Sequence, residues 1–405
     1  MKDSNSDSRD QISQSWLRRN LSDPSIRCAL IVFTASRLFL TLWALIVLAF
    51  RPQPQMPDEI LRPYLDQPRF TEGVAGAILG PWQRFDTLHY MRIAESGYEA
   101  EEDSVFPPLF PAAMAGVGWV LSPILPQAER NLLGAIIISN IAFLGVLILL
   151  FRMTLRELDS ESAVRTIVYL AIFPTSFFLL AAYSESLFIV LAVGSIYSAR
   201  KDRFWLAGCL GLLASLTRLT GLVLVLPLAY EYLSRRDFKV SKIDPAGIAV
   251  LLPFVGSAAF LLWRSSAGLP PLGDIYEQYW YQTTGVPGVD MFQAIAKMLK
   301  GEAALTLFFD FFCALLLFAT TIAAFRKLGA TFGLYSAGLL LFILLPTSEL
   351  KPLYSFSRYA LAFFPTFIIL GRFGTTPWRK RIVIYPSIAI LLYFSGQFFM
   401  WGWVA

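Results

Sequence analysis

Stretches of near-continuous apolar sequence, close to the roughly 20 residues a bilayer-spanning helix needs, recur from end to end of this chain. They run from Cys28 to Phe50, Asn131 to Phe151, Ala246 to Trp263, Leu305 to Ala324 and Ile382 to Trp401. No other feature constrains the fold as strongly, because a soluble core could not hide so many of them. The charged fraction is 16% and the hydrophobic fraction 56%, against about 25% charged in an average soluble protein. A disordered chain and a small disulfide-held domain are both excluded. In lipid the backbone must satisfy its own hydrogen bonds, so apolar runs of this length read as helices. The predicted fold class is therefore all-α, a polytopic membrane protein.

Between the clear spans lie less regular ones. Phe106 to Leu125 is broken or flanked by five prolines and reads as a broken span or a re-entrant hairpin. Thr166 to Arg200 holds two apolar stretches split near Tyr183-Ser184-Glu185. Phe204 to Leu233 is interrupted by Thr217-Arg218-Leu219-Thr220-Gly221, which allows one long helix or two short ones. Thr331 to Leu345 and a weaker Tyr359 to Leu370 complete the set. The expected count is about ten to twelve crossings. No internal repeat and no soluble second domain is visible. Residues 1–405 read as a single transmembrane domain: 28–50 the first span, 51–106 the outer loop carrying the chemistry, 264–302 a second large outer loop.

Charge sets the orientation. Arg51 to Asp103 carries ten acidic and five basic residues, while Arg372 to Arg381 carries four basic and no acidic ones. Basic loops stay inside, so Met1 to Arg27 is expected in the cytoplasm and the first loop outside. That N-terminal stretch lacks the early apolar run of a cleavable signal, so the first span is expected to be retained. Taking Phe106 to Leu125 as re-entrant and Phe204 to Leu233 as a hairpin puts every basic loop inside. The net charge of +5 needs no nucleic acid to explain it, since the basic residues sit in short loops. One histidine rules out a multi-histidine metal site, and Cys28, Cys209 and Cys313 lie in or beside apolar runs without a CxxC pair. Glu102 and Asp103 alone make a poor case for a metal. No P-loop or dinucleotide motif is present.

The densest polar cluster is Trp82 to Tyr98. Read as a helix from Asp86, it brings Asp86, His89, Tyr90, Ile93 and Gly97 to one side. A carboxylate, an imidazole and a phenol then lie within about one turn. Trp82 and Tyr98 bracket the segment, as in a helix lying at the membrane surface. Such a carboxylate can act as a general base; the plainer alternative is an interfacial anchor with solvated charges. Charges inside apolar runs are costlier and more telling. Arg37, Arg218, Glu185 and Arg358 are of this kind. Arginine forks hold phosphate oxygens at two points, so a polar chamber for an anionic ligand is one reading. Internal pairing, such as Glu185 with Arg218, is the other.

Trp82 to Tyr98 resembles the W-x-x-x-D-x-x-H-Y-x-x-I-A-x-x-G-Y signature of the PIG-V-type mannosyltransferases, integral membrane enzymes of the GT-C architecture. Phe106-Pro107-Pro108-Leu109-Phe110-Pro111 is similar to the family's F-F-P-L-x-P run, with Pro107 where a second Phe is usual. Phe173 to Phe178 and Ala182 to Phe188 resemble a further motif region. Leu216 to Gly221 resembles the A-x-x-R-x-N-G segment, with Thr220 in place of Asn. Ser36-Arg37 fits the first span, and Ser357-Arg358-Tyr359 with Pro365 fits the late R-Y…P segment.

The resemblance implies an inverting transferase. It would move a sugar, mannose foremost, from a polyprenyl- or dolichyl-phosphate donor to a glycolipid or glycan acceptor at the outer face. Asp86 is then the base and His89 its neighbour in catalysis. Arg37, Arg218 and Arg358 would hold the donor phosphate, and Trp82, Tyr90, Tyr183 and Glu185 would orient the substrates. The scheme requires no metal or other cofactor. Its partners are the lipid-linked donor, the acceptor and membrane lipids, and its expected setting is a prokaryotic plasma membrane. Two other classes share the multi-span pattern: a transporter or flippase of a lipid-linked saccharide, and a non-catalytic assembly partner. The first gives no reason for the Trp82 to Tyr98 signature, and the second would tolerate loss of Asp86.

Overall fold

A computed structural model describes residues 23–50, 62–70 and 72–404. The expectations for residues 1–22 and for 51–61 of the first loop lie outside the described residues.

The helices are α1 (Pro24–Phe50), α2 (Asp86–Ser96), α3 (Leu109–Val120), α4 (Gln127–Glu157), α5 (Ser160–Ala171), α6 (Glu185–Ala199), α7 (Phe204–Thr217), α8 (Val225–Ser234), α9 (Leu252–Ser266), α10 (Leu272–Trp280), α11 (Val289–Lys300), α12 (Leu305–Lys327), α13 (Ala330–Leu344), α14 (Phe364–Phe373) and α15 (Pro377–Phe399), with shorter turns between them. Among the described residues, five helical segments are long and apolar enough to cross a bilayer: α1, α4, Pro245–Ser266, α12 and α15. The protein is thus helical and multi-pass. The shorter apolar helices complete the bundle. Among the described residues the one departure from helix and turn is a two-residue bridge, β1 (Thr283–Thr284) antiparallel to β2 (Pro346–Thr347).

Two ambiguous segments resolve for local reasons. Helix α3 has 12 residues, about 18 Å, which falls short of a roughly 30 Å hydrocarbon core. It packs against α4 and cannot cross on its own. Phe204 to Leu233 is two helices, not one. Arg218 leaves α7 in an extended conformation, and the chain turns through a 3-10 segment, Leu219–Leu224, before α8. Gly221 permits that turn to press on the end of α7: a Cβ there would stand 2.4 Å from the Ser215 amide nitrogen.

The main core is built from α4 to α7 and α12 to α15, with Phe143, Phe177, Phe188, Phe332 and Phe367 almost wholly buried. Polar loops gather in two groups. In one, Arg264 bonds the Ser104 and Pro270 carbonyls, Lys297 bonds Leu350 O, and Thr283 pairs with Thr347. In the other, Arg200 pairs with Glu157, Arg235 bonds Arg200 O, Thr331 bonds Glu231, and Arg165 bonds Gly371 O. The first group joins the loops expected outside. The second joins the basic loops expected inside.

Candidate active site

Helix α2 begins at Asp86, as the sequence pattern predicts, but it does not lie as an anchor with one face in lipid. Thr87, Leu88, Tyr90, Met91 and Ile93 are all buried against the protein. Its entry is tightly held. Phe85, just before Asp86, has φ +48°, a conformation a bulky side chain adopts only where its surroundings impose it. Those surroundings are in view. The Phe85 ring packs on Phe398, Trp401 and Trp403. The wholly buried Arg84 guanidinium donates to the carbonyls of Gly80, Gln83 and Phe399 and lies over Trp401. The end of α15 therefore seats the start of α2.

From there Asp86 meets Arg358. Arg358 Nη2 is 2.7 Å from Asp86 Oδ2, and its Nε is 2.5 Å from Glu185 Oε1. The same Glu185 oxygen accepts from Arg218 Nη1 at 2.8 Å. Arg218 also reaches Ser184 Oγ at 3.3 Å, and the Tyr90 hydroxyl donates to that oxygen at 2.9 Å. Four sequence-distant elements thus converge on one network of two carboxylates and two guanidiniums. Its formal charge is balanced, which is the condition for burying such groups at tolerable cost. The Arg358 side chain is 8% exposed and Glu185 5%. Tyr183 and Phe178 lie under the Arg358 guanidinium, at 4.7 and 5.1 Å. Burial, with Asp86 and Glu185 close by, pushes the Tyr90 phenol well above its usual range, so it stays a donor.

This network faces a cavity of about 350 Å³, within the range of small-ligand sites. Asp86, Tyr90, Ser184, Arg218 and Arg358 supply its polar side. Phe106, Tyr276, Trp280, Tyr354 and Trp403 supply aromatic walls from three loops and the C-terminal end. Leu219, Phe342, Ile343 and Leu345 add an apolar flank between α13 and the Arg218 turn.

The remaining expected residues sit nearby. His89 shares α2 with Asp86, but its Nδ1 is 2.7 Å from Asp103 Oδ1, and its ring lies beside Phe106 and Trp280. Arg92 grips Asp103 through two nitrogens and reaches Glu102 with one. Both carboxylates weighed for a metal are therefore bound by Arg92. Burial opposes ionisation of Asp103, but the bonds from His89 and Arg92 outweigh it and hold the carboxyl below its ordinary value. Arg37 lies over Trp82 at 4.8 Å and bonds Leu180 O at 3.3 Å. Trp82 is buried edge-on to Phe399. Tyr183 donates to Arg84 O at 3.2 Å. These three back the network and do not line the cavity.

Several contributors escaped the sequence reading. Arg84, Tyr276, Trp280, Tyr354 and Trp403 carried no distinguishing pattern, and Ser184 lay inside a motif without being singled out. Asp103 did leave a signal: His89 and Arg92 stand three apart on α2, a basic pair that asks for a carboxylate.

Comparison with known proteins identifies the family. The family described as Mannosyltransferase (PIG-V) matches residues 27–243, more than half of the chain. GPI alpha-1,6-mannosyltransferase 2 of Rattus norvegicus is 32% identical over 157 residues, covering 37% of this chain and 31% of the relative. The Homo sapiens protein of the same description is 27% identical over 169 residues, covering 40% and 34%. The chain spans about a third of the length of the curated relatives it matches. Among solved structures, ArnT from Cupriavidus metallidurans in the apo state has a TM-score of 0.46 at 14% identity, covering 92% of this chain and 75% of that one. The Archaeoglobus fulgidus oligosaccharyltransferase complex with Zn and sulfate has a TM-score of 0.41 at 12% identity, covering 88% and 53%. The family match takes in the Trp82 to Tyr98 signature, the Glu185 helix and the Arg218 turn, and this chain belongs to the PIG-V mannosyltransferase family.

Proposed function

We propose that the protein is an inverting membrane glycosyltransferase. It moves a sugar, mannose by family membership and by the names of its relatives, from a polyprenyl- or dolichyl-phosphate donor to a hydroxyl of a lipid-linked or glycan acceptor. The observation that carries the reading is the joining of Asp86 to Arg358, and through Glu185 to Arg218, at the polar side of a cavity with an apolar flank. A lipid-phosphate sugar has the same division: an anion with its sugar at one end and hydrocarbon at the other.

In the proposed step the acceptor oxygen bonds to the anomeric carbon as the bond from that carbon to the phosphate oxygen breaks. The acceptor proton passes to Asp86, and the electron pair leaves with the lipid phosphate. The phosphate is already a stable anion, so no strong acid is needed. Arg358 and Arg218 balance the charge that develops on it. The network is neutral without donor, so an arriving phosphate competes with Asp86 for Arg358 Nη2, and drawing that nitrogen away leaves Asp86 open to the acceptor hydroxyl. Tyr90 and Ser184 orient the phosphate side. His89, tied to Asp103, braces the Trp280 wall, and Arg37 with Trp82 backs the floor. We place the cavity at the outer face, with the N terminus cytoplasmic, in keeping with the basic loops gathered on the opposite side.

The test is transfer from radiolabelled polyprenyl-phosphate mannose in proteoliposomes, with the product identified. Asp86→Asn keeps the volume and an Arg358 partner, and should cost about 10²–10⁴ in turnover while the protein still folds. Near-normal turnover in that variant removes Asp86 from the step. Movement of the lipid-linked sugar across the membrane without product points to a transporter instead.

A further inference from the structure

Ionisable side chains within membrane helices are costly, and one placed there without a charged partner calls for an explanation. Asp310 is such a residue. It lies in α12, is 7% exposed, and no basic side chain pairs with it among the described residues. Its Oδ1 accepts the backbone N–H of Ser357 at 2.7 Å. That amide belongs to the first turn of the four-residue helix Phe356–Tyr359, where no intrahelical acceptor is available. The carbonyl of the same residue accepts from Thr175 Oγ1 at 2.7 Å. Ser357 is therefore gripped on its amide and on its carbonyl by two other elements, and the next residue is Arg358.

We propose that Asp310 is a positioning residue, which sets the place of the Arg358 guanidinium by holding the Ser357 amide. Arg358 must reach Asp86 and Glu185 at once, through different nitrogens, and misplacement by about 1 Å is enough to lose such a geometry. The segment ahead of it needs external support. Leu353 and Ser355 have φ of +58° and +62°, so the approach is a sequence of unfavourable turns. Asp290 on α11 holds its earlier part through the amides of Ser348 and Leu353, and Asp310 holds its end. What matters at position 310 is where the acceptor oxygen stands, not the charge it carries.

This inference rests on the reading of Arg358 as part of the active site, and its test separates the two. Asp310→Asn keeps an acceptor oxygen in place and removes the charge. Asp310→Glu keeps the charge and moves the oxygen by one methylene. Asp310→Asn should retain turnover within about threefold, and Asp310→Glu should lose about tenfold or more at an unchanged melting temperature. The reverse order, or equal loss in both, overturns the proposal. A second measurement does not depend on activity. In an Arg358→Cys background, labelling of the new thiol by a cationic methanethiosulfonate reagent should keep its rate with Asn at 310 and change several-fold with Glu. Equal labelling rates overturn the proposal. If even the wild-type protein transfers no sugar, the proposed function fails, and the labelling still decides the role of Asp310. Should Asp310→Glu fail to fold, Thr175→Val removes the other grip and is expected to shift the same labelling rate; an unshifted rate refutes the proposal.

Discussion

Replacing Arg358 by lysine separates charge from geometry at the centre of the site. The guanidinium holds Glu185 through Nε and Asp86 through Nη2, at 2.5 and 2.7 Å. A lysine ammonium keeps the positive charge but is a single point on a flexible stem, so it can satisfy one carboxylate and not the other. Each charge-assisted bond to a buried partner contributes about 1.5–3 kcal/mol. In the proposed step Nη2 passes from Asp86 to the donor phosphate while Nε keeps Glu185, and losing one of these two bonds during transfer corresponds to a fall in turnover of about 10- to 150-fold, at about 1.4 kcal/mol per factor of ten. The Arg358 and Glu185 side chains are 8% and 5% exposed, so solvent relieves little of the loss. Folding should suffer less than catalysis, since no carboxylate is left facing an apolar void. The assay is single-turnover transfer in proteoliposomes with donor titration, beside thermal melting in detergent. Turnover and donor affinity both within twofold of wild type would refute the argument that the two-point grip matters.

Two further outcomes follow from local geometry. The Asp103 carboxyl is held below its ordinary value, so its contribution to stability is present above the unfolded pKa of about 3.9 and is lost as pH falls through the lower folded value. Asp103→Asn should therefore flatten the acid limb of melting temperature against pH; an unchanged limb shows that the His89–Asp103–Arg92 cluster does not sense acid this way. Gly221→Ala places a methyl 2.4 Å from the Ser215 nitrogen, and forced overpacking of this kind costs about 1–3 kcal/mol. The variant should melt lower and, because the turn carries Arg218, lose activity; wild-type melting would mean that the turn relaxes freely.

Much of the site was readable because its signals are local. The start of α2 at Asp86 follows from residue spacing, and Arg218, Glu185 and Arg358 stood out as charges in apolar surroundings. Their mutual pairing was foreseen only for Glu185 with Arg218. The link from Arg358 to Asp86 joins residues far apart along the chain, and no local pattern encodes such a contact. No partner for His89 was legible in the sequence, for a related reason. A helical face specifies which side chains share a direction, not which loop will cover them, and the 3-10 turn Glu101–Val105 brings Asp103 there.

Long apolar runs and the register of α2 depend on neighbours within a few turns of chain, and the amino-acid sequence alone settles them. Which charges meet, which aromatic rings wall the cavity and why Asp310 lies in a span depend on how helices separated by hundreds of residues pack. Burial makes those contacts energetically decisive, because a charge removed from water must find its partner or abandon the site. Only the assembled bundle names that partner.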